Sequence, residues 1–171
     1  IVNQPIFFFG DAFFSGFYLN EILLRLCPLE VEMPQTYAKY GETLVALQQL
    51  STQTDPNTYL KQILRQFEHV LLEELGYSLD FSVDANQAVI APQQHYYFQL
   101  NDGFMPSAKA SRSTMSGQQI LTMLSYENGR DFNPEQLQLL TKLYRQVITA
   151  LLGDRPLKSR QLWIQNSQSQ S

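Results

Sequence analysis

Metal chemistry in this chain would depend on its two histidines, His69 and His95, and on its single cysteine, Cys27. A zinc site needs several Cys, His or carboxylate ligands at set spacings along the chain. Neither histidine has such a partner at ligand spacing, and one cysteine cannot form an internal disulfide. We therefore expect a protein that needs no metal ion and no cofactor.

The sequence offers no convincing candidate for a nucleophile or for a general acid or base. Cys27 lies between Leu26 and Pro28, and apolar neighbours raise the pKa of a thiol, which favours a packing residue over a nucleophile. Glu73 and Glu74 occupy adjacent positions of a predicted helix, so their carboxylates point in different directions. The chain has no glycine-rich phosphate loop, nucleophile elbow or zinc signature. The sequence predicts a binding protein and not an enzyme.

The composition is that of a globular protein. Of the 171 residues, 44% are hydrophobic and 16% are charged, which is enough apolar material for one core. The apolar opening segment, residues 1–9, contains Pro5 and lacks a basic leader, so it does not resemble a signal peptide. No uncharged apolar run reaches the length of about 18 residues that a membrane span requires. With a single cysteine, these features favour a soluble, cytoplasmic protein with no membrane partner.

The formal net charge of −4 is unevenly distributed along the chain. Residues 1–104 contain four basic and twelve acidic residues, whereas residues 105–171 contain eight basic and four acidic residues. Only the second part can attract phosphate, and its first candidates for DNA binding are Lys109, Arg112, Lys158 and Arg160. The alternative is that these charges only solvate helix surfaces, and for an acidic chain the composition alone favours that alternative.

Local signals predict three helices in the first half of the chain. The third has the clearest start, with Asp55 as the N-cap and Pro56 in the first turn, and Gly76 suits a left-handed C-cap. The predicted limits are Asp11 to Pro28, Pro34 to Leu50, and Asp55 to Gly76. The apolar positions expected to face the core are Phe13, Phe14, Phe17, Ile22 and Leu26 in the first helix, Tyr37, Tyr40, Leu44, Leu47 and Leu50 in the second, and Leu60, Ile63, Leu64, Phe67, Leu71 and Leu75 in the third.

The second half begins with β-prone segments. Residues 87–90 and 95–100, followed by the turn 101–103, predict a small hairpin. Helices are then predicted from Ser116, and from Asn133 to Gly153. Residues 165–171, rich in Gln and Ser, are expected to be disordered. The expected fold is a mainly α, irregular bundle of about five helices with a β-hairpin insertion, forming one domain over residues 1–164.

Three stretches carry a family resemblance: residues 15–23 (SGFYLNEIL), 67–81 (FEHVLLEELGYSLDF) and 155–162 (RPLKSRQL), with the Gly103-Phe104 turn between the last two. Together, in this order and spacing, they resemble the C-terminal helical part of the RecO family of recombinational DNA-repair proteins. The resemblance implies that the family's N-terminal oligonucleotide-binding barrel is absent here. It also implies a zinc-free member, because some members carry a four-cysteine site in the region of residues 77–106, and that region contains no cysteine here.

The resemblance implies a mediator of homologous recombination. Such a protein anneals single strands, works with RecR and helps RecA load onto DNA that is coated by single-stranded DNA-binding protein. The resemblance further implies that most DNA contacts belong to the barrel, so we expect this chain to bind DNA weakly. Two other interpretations stay open: a generic helical interaction or scaffold domain, and the regulatory domain of an enzyme whose catalytic part lies elsewhere.

Arg65 matches an arginine that, in the RecO family, receives the acidic C-terminal tail of single-stranded DNA-binding protein. Helical spacing groups Lys61, Arg65 and Leu72 on one flank of the third helix, with His69 beside them. We expect the peptide's carboxylate to pair with Arg65 and its phenylalanine ring to contact Leu72. From periodicity alone, Lys61 and Arg65 are ordinary solvated neighbours, and the match to the family favours the site.

Overall fold

A computed structural model describes residues 10–169 of the chain. Its α-helices are α1 (Asp11–Leu26), α2 (Pro34–Gln48), α3 (Pro56–Glu74), α4 (Gly117–Leu121), α5 (Pro134–Leu152) and α6 (Lys158–Ser169). Its strands are β1 (His95–Gln99), β2 (Gly103–Ser107) and β3 (Met115–Ser116), and short 3-10 helices cover Leu50–Thr52 and Thr122–Ser125. The mainly α fold with a small β element is confirmed. The predictions for residues 1–9 and for the last two residues of the tail lie outside the described residues.

Internal contacts divide the described residues into two compact units. The first contains α1, α2, α3 and α6, which come from the two ends of the chain. The second spans Tyr77–Ala150 and contains the sheet, α4 and most of α5. The first unit is therefore discontinuous in sequence, a division that the prediction of one domain over residues 1–164 did not include.

Helix α3 follows its local signals closely. The Asp55 side chain accepts a hydrogen bond from the backbone N–H of Thr58 at 3.1 Å, Pro56 is the first helical residue, and Gly76 has a φ of 88° just after the helix. Ile63 and Phe67 are buried as predicted, as is Leu71, whereas the other predicted core positions are only partly buried. The prediction for this helix is confirmed because each of its signals is local.

Helix α1 departs from its prediction at its start and on its buried face. Gly10, with a φ of 58°, is the N-cap, so the prediction that Asp11 caps the helix is wrong. The buried residues are Ala12, Ser15, Gly16, Leu19, Ile22 and Leu23, and of the predicted aromatic stripe Phe13 is 49% exposed. Small residues on this face allow close approach by α2 and α6, which pack against α1.

Helix α6 was not predicted from the sequence. It begins after Pro156 and runs through residues 165–169, for which we predicted disorder; their side chains are exposed. Its start depends on the other end of the chain, because the Glu21 carboxylate in α1 accepts hydrogen bonds from the backbone N–H groups of Lys158 at 2.8 Å and Ser159 at 2.9 Å. A cap supplied from such a distance leaves no signal in the local sequence.

The second unit contains a three-stranded antiparallel sheet in the order β2-β1-β3. The predicted strand 95–100 and the turn 101–103 are confirmed, but the strand that completes the hairpin is β2, which was not predicted, with Tyr97 opposite Met105. The short strand β3 pairs with the other edge of β1. Residues 87–90 do not form a strand. Their backbone turns at Gln87, which has a φ of 62°, and Asp84 accepts hydrogen bonds from the N–H groups of Asn86 and Ala88. These bonds satisfy backbone donors that a strand would have used.

Helices α4 and α5 both start at reciprocal caps. Ser116 and Gln119 form a capping box at α4, and Asn133 and Gln136 exchange the same pair of bonds at α5, at 2.9 and 2.8 Å. The predicted extent of α5 is confirmed up to Gly153, which has a φ of 66°. Helix α4 is only five residues long and continues as the 3-10 helix Thr122–Ser125.

Candidate functional site

Arg65 lies in the middle of α3 and forms an ion pair with Glu68, three residues later in the same helix, through two close contacts between the guanidinium and the carboxylate. Arg65 Nε lies 2.6 Å from Glu68 Oε2, and Arg65 Nη2 donates to Glu68 Oε1 at 2.6 Å. The two side chains are 14% and 1% exposed. Tyr18 of α1 also donates its hydroxyl proton to Glu68 Oε1, at 2.6 Å. Arg65 is therefore fixed in position, with its charge balanced by a buried carboxylate.

Sequence reasoning placed Arg65 at the site but missed Glu68. The available signal was the spacing of three residues, which makes an acid and a base neighbours on a helix. That signal does not show which side of the helix the pair faces, and Glu68 had no assigned role. Glu68 is 1% exposed, and the hydroxyl of Tyr18 in α1 reaches its carboxylate.

The other three residues of the predicted peptide site differ in how far they are exposed to solvent. Lys61, one turn before Arg65, is exposed. His69 is mostly buried, with Nε2 at 3.5 Å from Glu73 Oε1. Leu72, which helical spacing assigned to an exposed flank, is 2% exposed and belongs to the core. Of the predicted peptide site, Lys61 is therefore exposed, Arg65 is mostly buried in its ion pair, and Leu72 is not at the surface.

Lys109 and Arg112 are exposed and lie in the loop between β2 and β3. Serine and threonine side chains order this loop. Ser111 donates its backbone N–H to Thr114 Oγ1 at 2.8 Å, and Lys142 of α5 donates to the Thr114 carbonyl oxygen. Burial lowers the pKa of Lys142. Lys142 therefore acts as a structural donor to this loop.

Lys158 and Arg160 are exposed in the first turn of α6. Glu21 holds this turn to α1. Arg25 of α1 holds the segment before it by donating to the carbonyl oxygens of Leu152, Arg155 and Pro156 at 3.3, 2.6 and 3.2 Å.

Burial alone would raise the pKa of Glu21, but the N–H donors of Ser159 and Lys158, with help from Arg25, lower it below its ordinary value.

The four residues predicted to contact DNA form two groups, one in each unit of the chain.

Cys27 has the environment expected of a packing residue. It is partly buried, and burial together with the nearby Glu74 carboxylate raises the pKa of its thiol.

Among residues 10–169, no group of three or more His, Cys, Asp or Glu residues is placed to hold a metal ion. Within that range no helix is long and apolar enough to cross a membrane.

Residues 10–161 match the family model described as "Recombination protein O C terminal". The chain belongs to the RecO family. It is 35% identical over 160 residues to the DNA repair protein RecO of Pseudomonas aeruginosa, covering 94% of this chain and 64% of that protein. It is also 35% identical over 156 residues to the DNA repair protein RecO of Tolumonas auensis, covering 90% and 61% of the two chains. The chain thus spans somewhat less than two thirds of the length of these relatives.

The first of the three stretches that carry the RecO resemblance contacts each of the other two. Tyr18 of the first stretch bonds to Glu68 of the second. Glu21 of the first bonds to the backbone of Lys158 and Ser159 in the third. Residues far apart in the RecO sequence are therefore joined by specific polar contacts between α1, α3 and α6.

Proposed function

We propose that this chain is the helical part of a RecO-type mediator of DNA repair and homologous recombination. The supporting observation is the family match over residues 10–161 together with the relatives named DNA repair protein RecO. In this proposal the chain receives the acidic C-terminal tail of single-stranded DNA-binding protein on α3, works with RecR in strand annealing and RecA loading, and acts in the cytoplasm.

The chemistry of α3 suits a peptide that ends in aspartates and a phenylalanine. Lys61 and Arg65 are one turn apart, so two carboxylates of the peptide can meet two cations. The Glu68 carboxylate holds the Arg65 guanidinium in place, so Arg65 loses little side-chain entropy when the peptide binds. Because Leu72 is buried, we assign the phenylalanine ring to Leu64, which is partly exposed beside Arg65.

Titration of a fluorescently labelled tail peptide into the 171-residue chain tests this proposal. We expect a dissociation constant of roughly micromolar order that rises with salt, because the contact is largely ionic. Loss of Arg65 should cost about 1–3 kcal/mol of binding free energy.

The variant must avoid leaving Glu68 as a buried, unpaired charge. We therefore compare Glu68→Gln, which keeps Arg65, with the double variant Arg65→Leu/Glu68→Gln, which does not. Arg130→Ala serves as the control for loss of one positive charge, because Arg130 is an exposed arginine in the second unit, 3.4 Å from Glu127. Equal peptide affinity in the single and double variants would show that the tail does not use Arg65.

We further propose that Lys109, Arg112, Lys158 and Arg160 make weak phosphate contacts without sequence preference. All four side chains are exposed. Such contacts release counterions, so binding should fall steeply as salt is added.

A further inference from the structure

Helix α6 combines positive charge with exposed apolar surface. Its twelve residues include Lys158 and Arg160 and no acidic residue. Leu162, Trp163 and Ile164 on the same helix are all large, apolar and at least 40% exposed. The proposed phosphate contacts of the two cations do not account for these exposed apolar side chains. The largest of them is Trp163, the single tryptophan of the chain, which is 48% exposed.

The indole of Trp163 is held at one edge. Its Nε1–H donates to Asp11 Oδ1 of α1 at 3.4 Å, which restricts rotation of the ring while about half of the residue stays open to solvent. Arg160 precedes Trp163 by three residues, and this spacing makes the two side chains neighbours on one side of the helix. The helix therefore carries an oriented aromatic ring and an exposed guanidinium about one turn apart.

The charge of this region selects the class of ligand. Residues 155–169 contain Arg155, Lys158 and Arg160 and no carboxylate side chain. Two carboxylates of α1 reach this helix, Asp11 at the Nε1 edge of the indole and Glu21 at the first backbone N–H groups. The exposed charged side chains of residues 155–169 are all positive, which favours polyanions over basic or neutral partners. An aromatic ring beside cations is the combination that binds single-stranded nucleic acid, because every base offers a face for stacking and every linkage carries a phosphate.

We propose that Trp163 and Arg160 form a contact site for single-stranded nucleic acid, in which the indole stacks on an unpaired base and the guanidinium pairs with an adjacent phosphate. The proposal rests on the proposed function in its choice of DNA as the ligand, but not on peptide docking at α3. Helix α6 can hold the ring in place because Glu21 fixes its first turn to α1 and Arg25 fixes the residues just before it.

The single tryptophan makes the test direct, because all indole fluorescence of the chain comes from this site. We expect titration with oligothymidylate to quench this fluorescence at low salt. An abasic oligonucleotide of equal length, which has the phosphates without the bases, should quench much less. Binding measured by anisotropy of a labelled oligothymidylate should weaken about fivefold to a hundredfold in Trp163→Leu. The same change should leave binding of the abasic strand unaltered.

A second variant tests the cation separately. Arg160→Gln should reduce the slope of log affinity against log salt by about one, whereas Arg130→Gln, in the other unit, should leave it unchanged. Quenching by the acidic tail peptide but not by oligothymidylate would overturn the proposal and identify α6 as a peptide site. Equal affinity of wild type and Trp163→Leu for oligothymidylate would overturn it as well.

The two proposals fail separately. The double variant Arg65→Leu/Glu68→Gln should keep its affinity for oligothymidylate, and Trp163→Leu should keep its affinity for the tail peptide. Circular dichroism of each variant checks that the helices are intact. A loss of both ligands in one correctly folded variant would contradict the assignment of two distinct surfaces.

Discussion

Arg65 and Glu68 form an ion pair whose side chains are only 14% and 1% exposed. Replacing one member of such a pair leaves an uncompensated charge and costs about 3–5 kcal/mol, whereas replacing both with neutral residues costs much less. We expect Arg65→Leu to lower the free energy of unfolding by an amount in this range, because Glu68 is 1% exposed. The double variant Arg65→Leu/Glu68→Gln should recover a large part of that loss.

Urea unfolding of wild type, the two single variants and the double variant measures this coupling. Tyr18→Phe completes the series and should cost about 0.5–1.5 kcal/mol, because it removes one hydrogen bond to Glu68. Strict additivity of the two single substitutions would contradict an interaction between Arg65 and Glu68.

Single residues were predictable where their role is local. The Asp55 cap follows from immediate neighbours in the sequence, and the structure confirms it. Leu72 was misplaced because helical spacing gives the angle of a side chain around its own helix, not the number of other helices that pack there. The same limit explains why Glu68 went unnoticed.

At the scale of elements, two carboxylates each start a helix that is remote in sequence. Glu21 of α1 accepts from the first N–H groups of α6, and Glu74 of α3 accepts from those of Gln35 and Thr36 in α2, at 3.2 and 2.7 Å. For Glu74, as for Glu21, burial alone would raise the pKa, but these donors lower it. A lowered pKa in the folded state means that folding is favoured by the ionised carboxylate.

The stabilisation from Glu21 should therefore be present above its ordinary pKa of 4.5 and be lost as the pH falls through its lower value in the folded protein. We expect Glu21→Gln to cost about 0.5–2 kcal/mol near neutral pH, in the range of other helix caps. Its difference from wild type should shrink as the pH falls below 4.5 and the Glu21 carboxylate takes up a proton. Urea titrations at a series of pH values, read by the fluorescence of Trp163 in α6, measure this difference.

Glu42→Gln is the matched control, since Glu42 is an exposed carboxylate paired with Lys39 on the surface of α2. Its difference from wild type should be small at every pH. A pH-independent deficit in Glu21→Gln would show that the ionised carboxylate does not cap α6.

Elements with self-contained signals were predicted well. Helices α3 and α5 contain their own caps and glycine stops, and strand β1 is followed directly by its own turn. Helix α6 and strand β3 were missed because partners elsewhere in the chain complete them. The need for glycine at position 117 also depends on a residue elsewhere in the chain. A Cβ atom there would lie 2.0 Å from the Ala91 carbonyl oxygen, so any side chain would collide with it.

At the scale of the whole molecule, we predict that the purified protein contains no zinc and needs none. The single cysteine and two histidines cannot supply a tetrahedral set of ligands, and residues 10–169 contain no cluster that could. Elemental analysis should find no stoichiometric zinc, and EDTA should leave the melting temperature unchanged. One tightly bound zinc ion per chain, with unfolding on chelation, would contradict this prediction.

The contacts of Glu21 and Arg25 with residues 152–159 affect the order in which the protein can fold during its synthesis. The second unit, Tyr77–Ala150, is continuous, so all of its residues have left the ribosome before those of α6. Translation adds about 5–20 residues per second, so α1, α2 and α3 wait several seconds for α6. During that time the surface of α1 that later contacts α6 is open to water and to chaperones.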